Sequence, residues 1–164
     1  MTDFARLLRA LVEARVEFII VGGLAATIHG AARLTQDIDI VYSRSSANLG
    51  RLVAALKPLA PYPRGAPPGL PFEWSVHTLQ AGLNFTLTTT AGDIDLFGEI
   101  VGGGGYPQLG PHSIRIDLFG LECRCLDLPA LVRTKRAAGR PKDHEAIAEL
   151  EALQEERDHG GGGG

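Results

Sequence analysis

Two Asp-x-Asp pairs carry most of the chemistry that this sequence can offer. Asp37 and Asp39 lie in Arg33-Leu34-Thr35-Gln36-Asp37-Ile38-Asp39-Ile40-Val41, and Asp93 and Asp95 lie in Gly92-Asp93-Ile94-Asp95-Leu96-Phe97. Residues two apart in a strand point to the same face. Each pair therefore shares one face, with isoleucine or leucine on the other. Carboxylates roughly 7 Å apart at the backbone repel when ionised, and a cation between them is the simplest relief. Hard divalent ions such as Mg²⁺ or Mn²⁺ take oxygen ligands. If the two acidic strands are neighbours, all four carboxylates converge, and two charges about 4 Å apart cost on the order of 4 kcal/mol at an effective dielectric of 20. The alternative is that Asp93 and Asp95 are exposed edge charges.

Two further features suit phosphate. Gly22-Gly23 follows the expected strand 17–21 and precedes a helix starting at Leu24. Glycines let a backbone approach a ligand closely, and a helix start offers free N–H groups to an anion; the plain alternative is a tight turn. Neither a G-x-G-x-x-G fingerprint nor a Gly-Lys-Ser/Thr loop is present. The second feature is basic: Arg133, Lys135, Arg136, Arg140 and Lys142, then Asp143. Lys135 falls one helical turn past Leu131 and Val132, so it can point along a packed face, although charge runs usually form solvated faces. Acidic metal ligands, a glycine turn and a lysine together suit phosphoryl transfer, in which divalent ions clamp the attacking and leaving oxygens and a lysine neutralises the phosphate tail.

Elements able to position these residues follow from periodicity. Residues 3–15 form an amphipathic helix through Phe4, Leu7, Leu8, Leu11 and Val12. Strands are expected over 17–21 and 36–42. A helix capped by Ser45 or Ser46 carries Leu49, Leu52, Val53 and Leu56. The proline-rich stretch 58–71 reads as a long surface loop near the site. Strands follow at 74–78, 84–90 and 93–97, then a flexible break at Gly102-Gly103-Gly104-Gly105 and a hairpin over 113–119 and 121–126 turning near Gly120. Asp127 caps a helix with Pro129 in its first turn, ending at Gly139, and a last helix spans 141–157. The fold class is α/β (α+β): a mixed, mostly antiparallel sheet flanked by helices in a single domain.

Size and composition agree. The 164 residues are 45% apolar and 21% charged, an ordinary globular balance, and no apolar run spans a bilayer. A soluble, cytoplasmic protein without a membrane partner is expected. The formal net charge of −3 disfavours nonspecific nucleic-acid binding. Cys123 and Cys125 alternate on one strand without further ligands and read as reduced structural residues. His29 is either a packed histidine or a site residue, and Trp74 reads as core.

The segment Val21-Gly22-Gly23-Leu24-Ala25-Ala26, His29-Gly30, and Arg33-Leu34-Thr35-Gln36-Asp37-Ile38-Asp39 resembles the nucleotidyltransferase superfamily of DNA polymerase β-like fold, and most of all the small bacterial branch related to AbiEii-type toxin nucleotidyltransferases. Ile94-Asp95-Leu96 resembles its third acidic position, and Lys135-Arg136-Ala137-Ala138-Gly139-Arg140-Pro141-Lys142-Asp143 its C-terminal signature. The resemblance implies a nucleotidyltransferase domain over 1–157, with 158–164 a disordered glycine-rich tail. It implies that Asp37, Asp39 and Asp95 hold Mg²⁺ or Mn²⁺ and carry catalysis. Gly22, Gly23, Arg33, Thr35, Lys135, Lys142 and Asp143 would bind or support the nucleotide. The implied reaction moves an NMP from an NTP to an acceptor hydroxyl on RNA (tRNA) or protein and releases pyrophosphate, as a toxin held by an antitoxin partner. Many members have Gly-Ser where this chain has Gly22-Gly23. A competing expectation is a non-catalytic nucleotide- or partner-binding module on the same scaffold, and a third is a metal-dependent phosphoesterase.

Overall fold

A computed structural model describes residues 1–32 and 34–161. At its centre, strands β1 (Phe18–Val21) and β2 (Asp37–Tyr42) run antiparallel, and β2 pairs in parallel with β5 (Gly92–Phe97). A parallel pair needs a long crossover. Here it comprises helix α3 (Ser46–Leu56), the two-residue strand β3 (Tyr62–Pro63), helix α4 (Val76–Ala81) and strand β4 (Asn84–Thr89). The hairpin β8 (Ser113–Leu118) and β9 (Leu121–Leu126) completes a seven-stranded sheet in the order β3-β4-β5-β2-β1-β9-β8. Four of its neighbouring pairs are antiparallel and two are parallel. The expected mixed, mostly antiparallel sheet is therefore what forms.

Burial follows the alternation in the acidic strands. Ile38, Ile40, Ile94 and Leu96 are fully buried. They join one core with Leu7, Leu8 and Leu11 of helix α1 (Phe4–Glu13) and Leu49, Leu52 and Leu56 of α3. The opposite face of the same strands is left to the aspartates. Helix α2 (Gly22–Ile28) leaves β1 directly, and helix α6 (Leu128–Ala138) leaves β9 with Asp127 accepting from the Ala130 N–H at 2.8 Å. Helix α7 (His144–Gly161) packs on α6, where Arg136 meets Glu151 at 2.9 Å. Among the described residues no helix is long and apolar enough to cross a membrane.

Five local expectations change. The stretch 58–71, expected as a long surface loop, begins in a 3-10 turn (Lys57–Leu59) and supplies edge strand β3, where a proline is tolerated. Residues 74–78 do not form a strand: Ser75 accepts from the Thr78 N–H at 3.2 Å and caps α4, so a side-chain cap outweighs the aromatic and β-branched composition. The glycine run is not a loose break. Gly104–Gly105 form strand β7, paired with β6 (Glu99–Ile100), and lead into the short helix α5 (Tyr106–Leu109); a Cβ on Gly102 would lie 2.3 Å from that of Ala137. Helix α2 starts at Gly22 rather than after Gly23. The tail expected over 158–164 is helical as far as Gly161, and 162–164 lie outside the described residues.

Two polar side chains absent from the sequence reading fix this frame. Thr2 Oγ1 donates to the Gln36 carbonyl and accepts from the Asp93 N–H at 3.1 Å, so it ties the approaches to both acidic strands. Asn48 is fully buried; its Oδ1 accepts from the Glu17 N–H at 2.7 Å, and its Nδ2 donates to the carbonyls of Glu17 (3.1 Å) and Ser43 (2.8 Å). Asn48→Ala strands three backbone groups, of which the Ser43 carbonyl is buried and the two of Glu17 are partly so, and is expected to cost about 2 kcal/mol of stability, read as a lower urea midpoint at unchanged m-value.

Candidate active site

The parallel register of β2 and β5 sets Asp37 opposite Asp93 and Asp39 opposite Asp95. Because side chains alternate, all four are directed to the same face of the sheet. Carboxylate oxygens of Asp37, Asp39 and Asp95 lie within 4.8 Å of one another. Asp39 Oδ1 is buried with no hydrogen-bond partner. A buried, unpartnered carboxylate oxygen is costly unless something charged answers it. Three oxygen donors at this spacing fit a divalent cation of the hard, oxygen-binding kind.

Electrostatics express the same crowding. Burial, then the Asp37 charge, then the contact with Asp95 push the Asp39 carboxyl up to about 8, against a weaker pull from Lys135. Burial also raises Asp95, opposed by its hydrogen-bonding contact with Asp39 and by the Arg64 guanidinium. Without a cation the Asp39 carboxyl thus keeps its proton into the neutral range, in contact with Asp95.

The surroundings are shaped around this cluster. Gly22 adopts φ +63°, and a Cβ there would lie 2.0 Å from Asp39 Oδ2. A Cβ on Gly23 would lie 3.0 Å from Thr35 Oγ1. Thr35 Oγ1 in turn sits 2.9 Å from the Asp37 carbonyl and 3.2 Å from Asp37 Oδ1. Lys135, on α6, stands 3.6 Å from Asp143, whose carboxylate also takes Arg140 Nε at 2.8 Å. Burial would raise Asp143, but these two cations outweigh it and hold the carboxyl below its usual range. A cleft of about 360 Å³ opens over the site, lined by Gly22, Asp39, Asn84, Glu99, Lys135 and Arg140 among others. A recess of about 400 Å³ near Arg15, Tyr106 and Arg124 shares no residue with the acidic cluster and offers no comparable donor set.

The structure thus brings Gly22, Gly23, Thr35, Asp37, Asp39, Asp95, Lys135 and Asp143 to one region. Arg33 and the side chain of Lys142 lie outside the described residues. Asp93 stands in register with Asp37 but is not one of the three clustered acids. His29 is packed: Nε2 lies 2.8 Å from the Leu126 carbonyl, and Nδ1 lies 3.0 Å from Arg157 Nη1. Trp74 packs on the core and donates to the Val53 carbonyl at 3.0 Å. Burial raises Cys123 to about 11 and Cys125 to about 12, and both thiols are free.

One residue of the site had no signal in the sequence. Arg64 Nη2 lies 2.9 Å from Asp95, its Nε 3.4 Å from Asp93, and its Nη1 3.5 Å from Asp37. It sits in the proline-rich segment just past β3, and only the pairing of that edge strand reveals its reach.

No family model and no curated protein matches this chain. Solved structures do. A Thermotoga maritima protein assigned as a nucleotidyltransferase superposes with a TM-score of 0.58 at 13% identity, over 93% of this chain and 96% of that one. ANT(2″)-Ia, solved with adenylyl-2″-tobramycin, superposes with a TM-score of 0.54 at 16% identity, over 94% of this chain and 92% of that one. The fold is that of a nucleotidyltransferase. Within this nucleotidyltransferase fold, the acidic pair on β2 and its partner on β5 are the charged centre.

Two outcomes follow. An acid raised in the folded state holds a proton that the unfolded chain releases near 3.8, so its contribution is complete below that value and is lost as pH climbs through its folded value. Metal-free protein should therefore lose stability from about pH 5 to 8, and Asp39→Asn should flatten that slope; chemical denaturation at stepped pH reads it. Asp143, lowered by its cations, acts in the opposite sense and only at more acidic pH. Gly22→Ala combines a left-handed φ with a collision on Asp39 and is expected to cost about 2 kcal/mol or more, measured by thermal unfolding.

Proposed function

We propose that this chain is a divalent-metal-dependent nucleotidyltransferase, which transfers an NMP from an NTP to an acceptor hydroxyl with release of pyrophosphate. The observation that carries this reading is the trio of carboxylates within 4.8 Å of one another beside the opening of α2. In this reading Asp37, Asp39 and Asp95 hold Mg²⁺ or Mn²⁺. When bound, the ion would neutralise phosphate charge and make the attacking hydroxyl more acidic. Asp95 accepts the hydroxyl proton, the acceptor oxygen bonds to the α-phosphorus, and the bond from that phosphorus to the pyrophosphate oxygen breaks.

The remaining residues take positioning roles. The Gly22-Gly23 backbone, bare of side chains, borders the clefts where phosphates would lie. Lys135, facing Asp39 and steadied by Asp143, meets the triphosphate charge. Thr35 fixes the approach to Asp37. Arg33 and Lys142 are assigned to phosphate contact and site support on their sequence positions alone. A cleft of about 360 Å³ is of the size that small-molecule ligands occupy. The AbiEii-type branch, an acceptor on RNA or protein, a toxin role, an antitoxin partner and a cytoplasmic setting rest on the sequence resemblance.

The deciding experiment incubates the protein with Mg²⁺ and each α-labelled NTP, first with bulk RNA and then with cell protein. Label transfer with pyrophosphate release supports the reading. Asp39→Asn should lower transfer by about a hundredfold or more while its thermal midpoint stays level or rises, because charge crowding is relieved. Unchanged transfer in that variant removes the metal role. Tight NTP binding without transfer to any acceptor identifies a binding module, and release of inorganic phosphate identifies a phosphoesterase.

A further inference from the structure

Arg64 is fixed at its backbone and at one nitrogen of its guanidinium. Its N–H donates to the Thr86 carbonyl at 3.0 Å, and its Nη2 donates to the Leu87 carbonyl at 2.8 Å. From this edge the guanidinium reaches Asp95, Asp93 and Asp37. Yet Arg64 Nε and Asp95 Oδ1 are both buried without a hydrogen-bond partner. The contact to the acids is one of charge, and it lacks the paired geometry that makes an arginine–carboxylate bond strong.

Two of these acids, Asp37 and Asp95, belong to the trio suited to a divalent ion, whereas Asp93 does not. A guanidinium and a divalent cation cannot both stay within about 4 Å of the same oxygens without strong mutual repulsion. We propose that Arg64 is the built-in counter-ion of the acidic site: it competes with a divalent cation for Asp37 and Asp95 and withdraws onto Asp93 when the cation binds. The inference rests on the metal-binding reading above. It gives Asp93 its own function, because that carboxylate, together with the Leu87 carbonyl, keeps the displaced guanidinium satisfied. It also explains how four converging acids are tolerated before a cation arrives. Metal affinity is then set below what the bare trio would give.

The test measures Mn²⁺ binding by calorimetry to metal-free wild type, Arg64→Gln and Arg64→Lys. Removal of the positive charge should tighten Mn²⁺ binding by about tenfold or more, whereas lysine, which keeps the charge, should leave affinity near wild type. Metal-free Arg64→Gln should melt below wild type, and saturating Mn²⁺ should close that gap. A residue that merely supported the fold would give equal or weaker Mn²⁺ binding in Arg64→Gln, and that result overturns the proposal. If Arg64→Gln does not fold, the wild type decides by NMR: the Arg64 Nε–H signal should shift on Mg²⁺ titration, and an unmoved signal at saturation overturns it. If neither wild type nor Arg64→Gln binds Mn²⁺, the metal reading fails and this inference fails with it; Mn²⁺ binding of equal strength in both defeats only the competition.

Discussion

The parallel pairing of β2 with β5 is the constraint around which the molecule is organised. It aligns two Asp-x-Asp repeats side by side, so that the alternation burying Ile38, Ile40, Ile94 and Leu96 also concentrates carboxylates on the other face. A slip of one residue would exchange the two sets. The isoleucines and leucine thus act as the register lock of the acidic site. Their burial opposes a repulsion that would otherwise separate the strands. Thr2 adds a polar clamp at the approach to both strands, and Asn48 fixes the helix that begins the crossover between them.

Much of this was legible because it depends on local pattern. Strand alternation announced the acidic face, and the caps Ser45 and Asp127 announced α3 and α6. Their consequence, the convergence of Asp37, Asp39 and Asp95, needed only the further condition that the two strands be neighbours. What sequence patterns could not reveal has a common character. Arg64 acts on residues that its own segment does not announce, and Thr2 acts across 91 positions. The strand expected at 74–78 failed because a single serine hydroxyl, placed to cap an N–H three residues on, outweighed composition. The glycine run misled in the opposite direction, because close packing against Ala137 and Leu109 excludes side chains just as flexibility would favour glycine.

The site also shows how a fold tolerates a functional defect. Asp39 Oδ1 lacks a partner, Gly22 adopts a left-handed conformation and clears Asp39 only because it has no side chain, and the Asp39 carboxyl is driven far above its ordinary range. Each feature is costly to stability. Their concentration at one edge of the sheet, beside a cleft bordered by Lys135, is the arrangement expected where structure has been compromised for chemistry.

The surrounding charges sharpen that view. Among the described residues, Asp37, Asp39, Asp93 and Asp95 face Arg64 on the sheet edge and Lys135 on α6, and Lys135 also joins Arg140 at Asp143. Burial is the first reason that Asp39 and Asp95 are both displaced upward, and the Asp37 charge adds to it in each. A buried carboxylate oxygen left unpartnered, with two further carboxylates converging beside it, is the physical reason that this trio could hold a divalent ion.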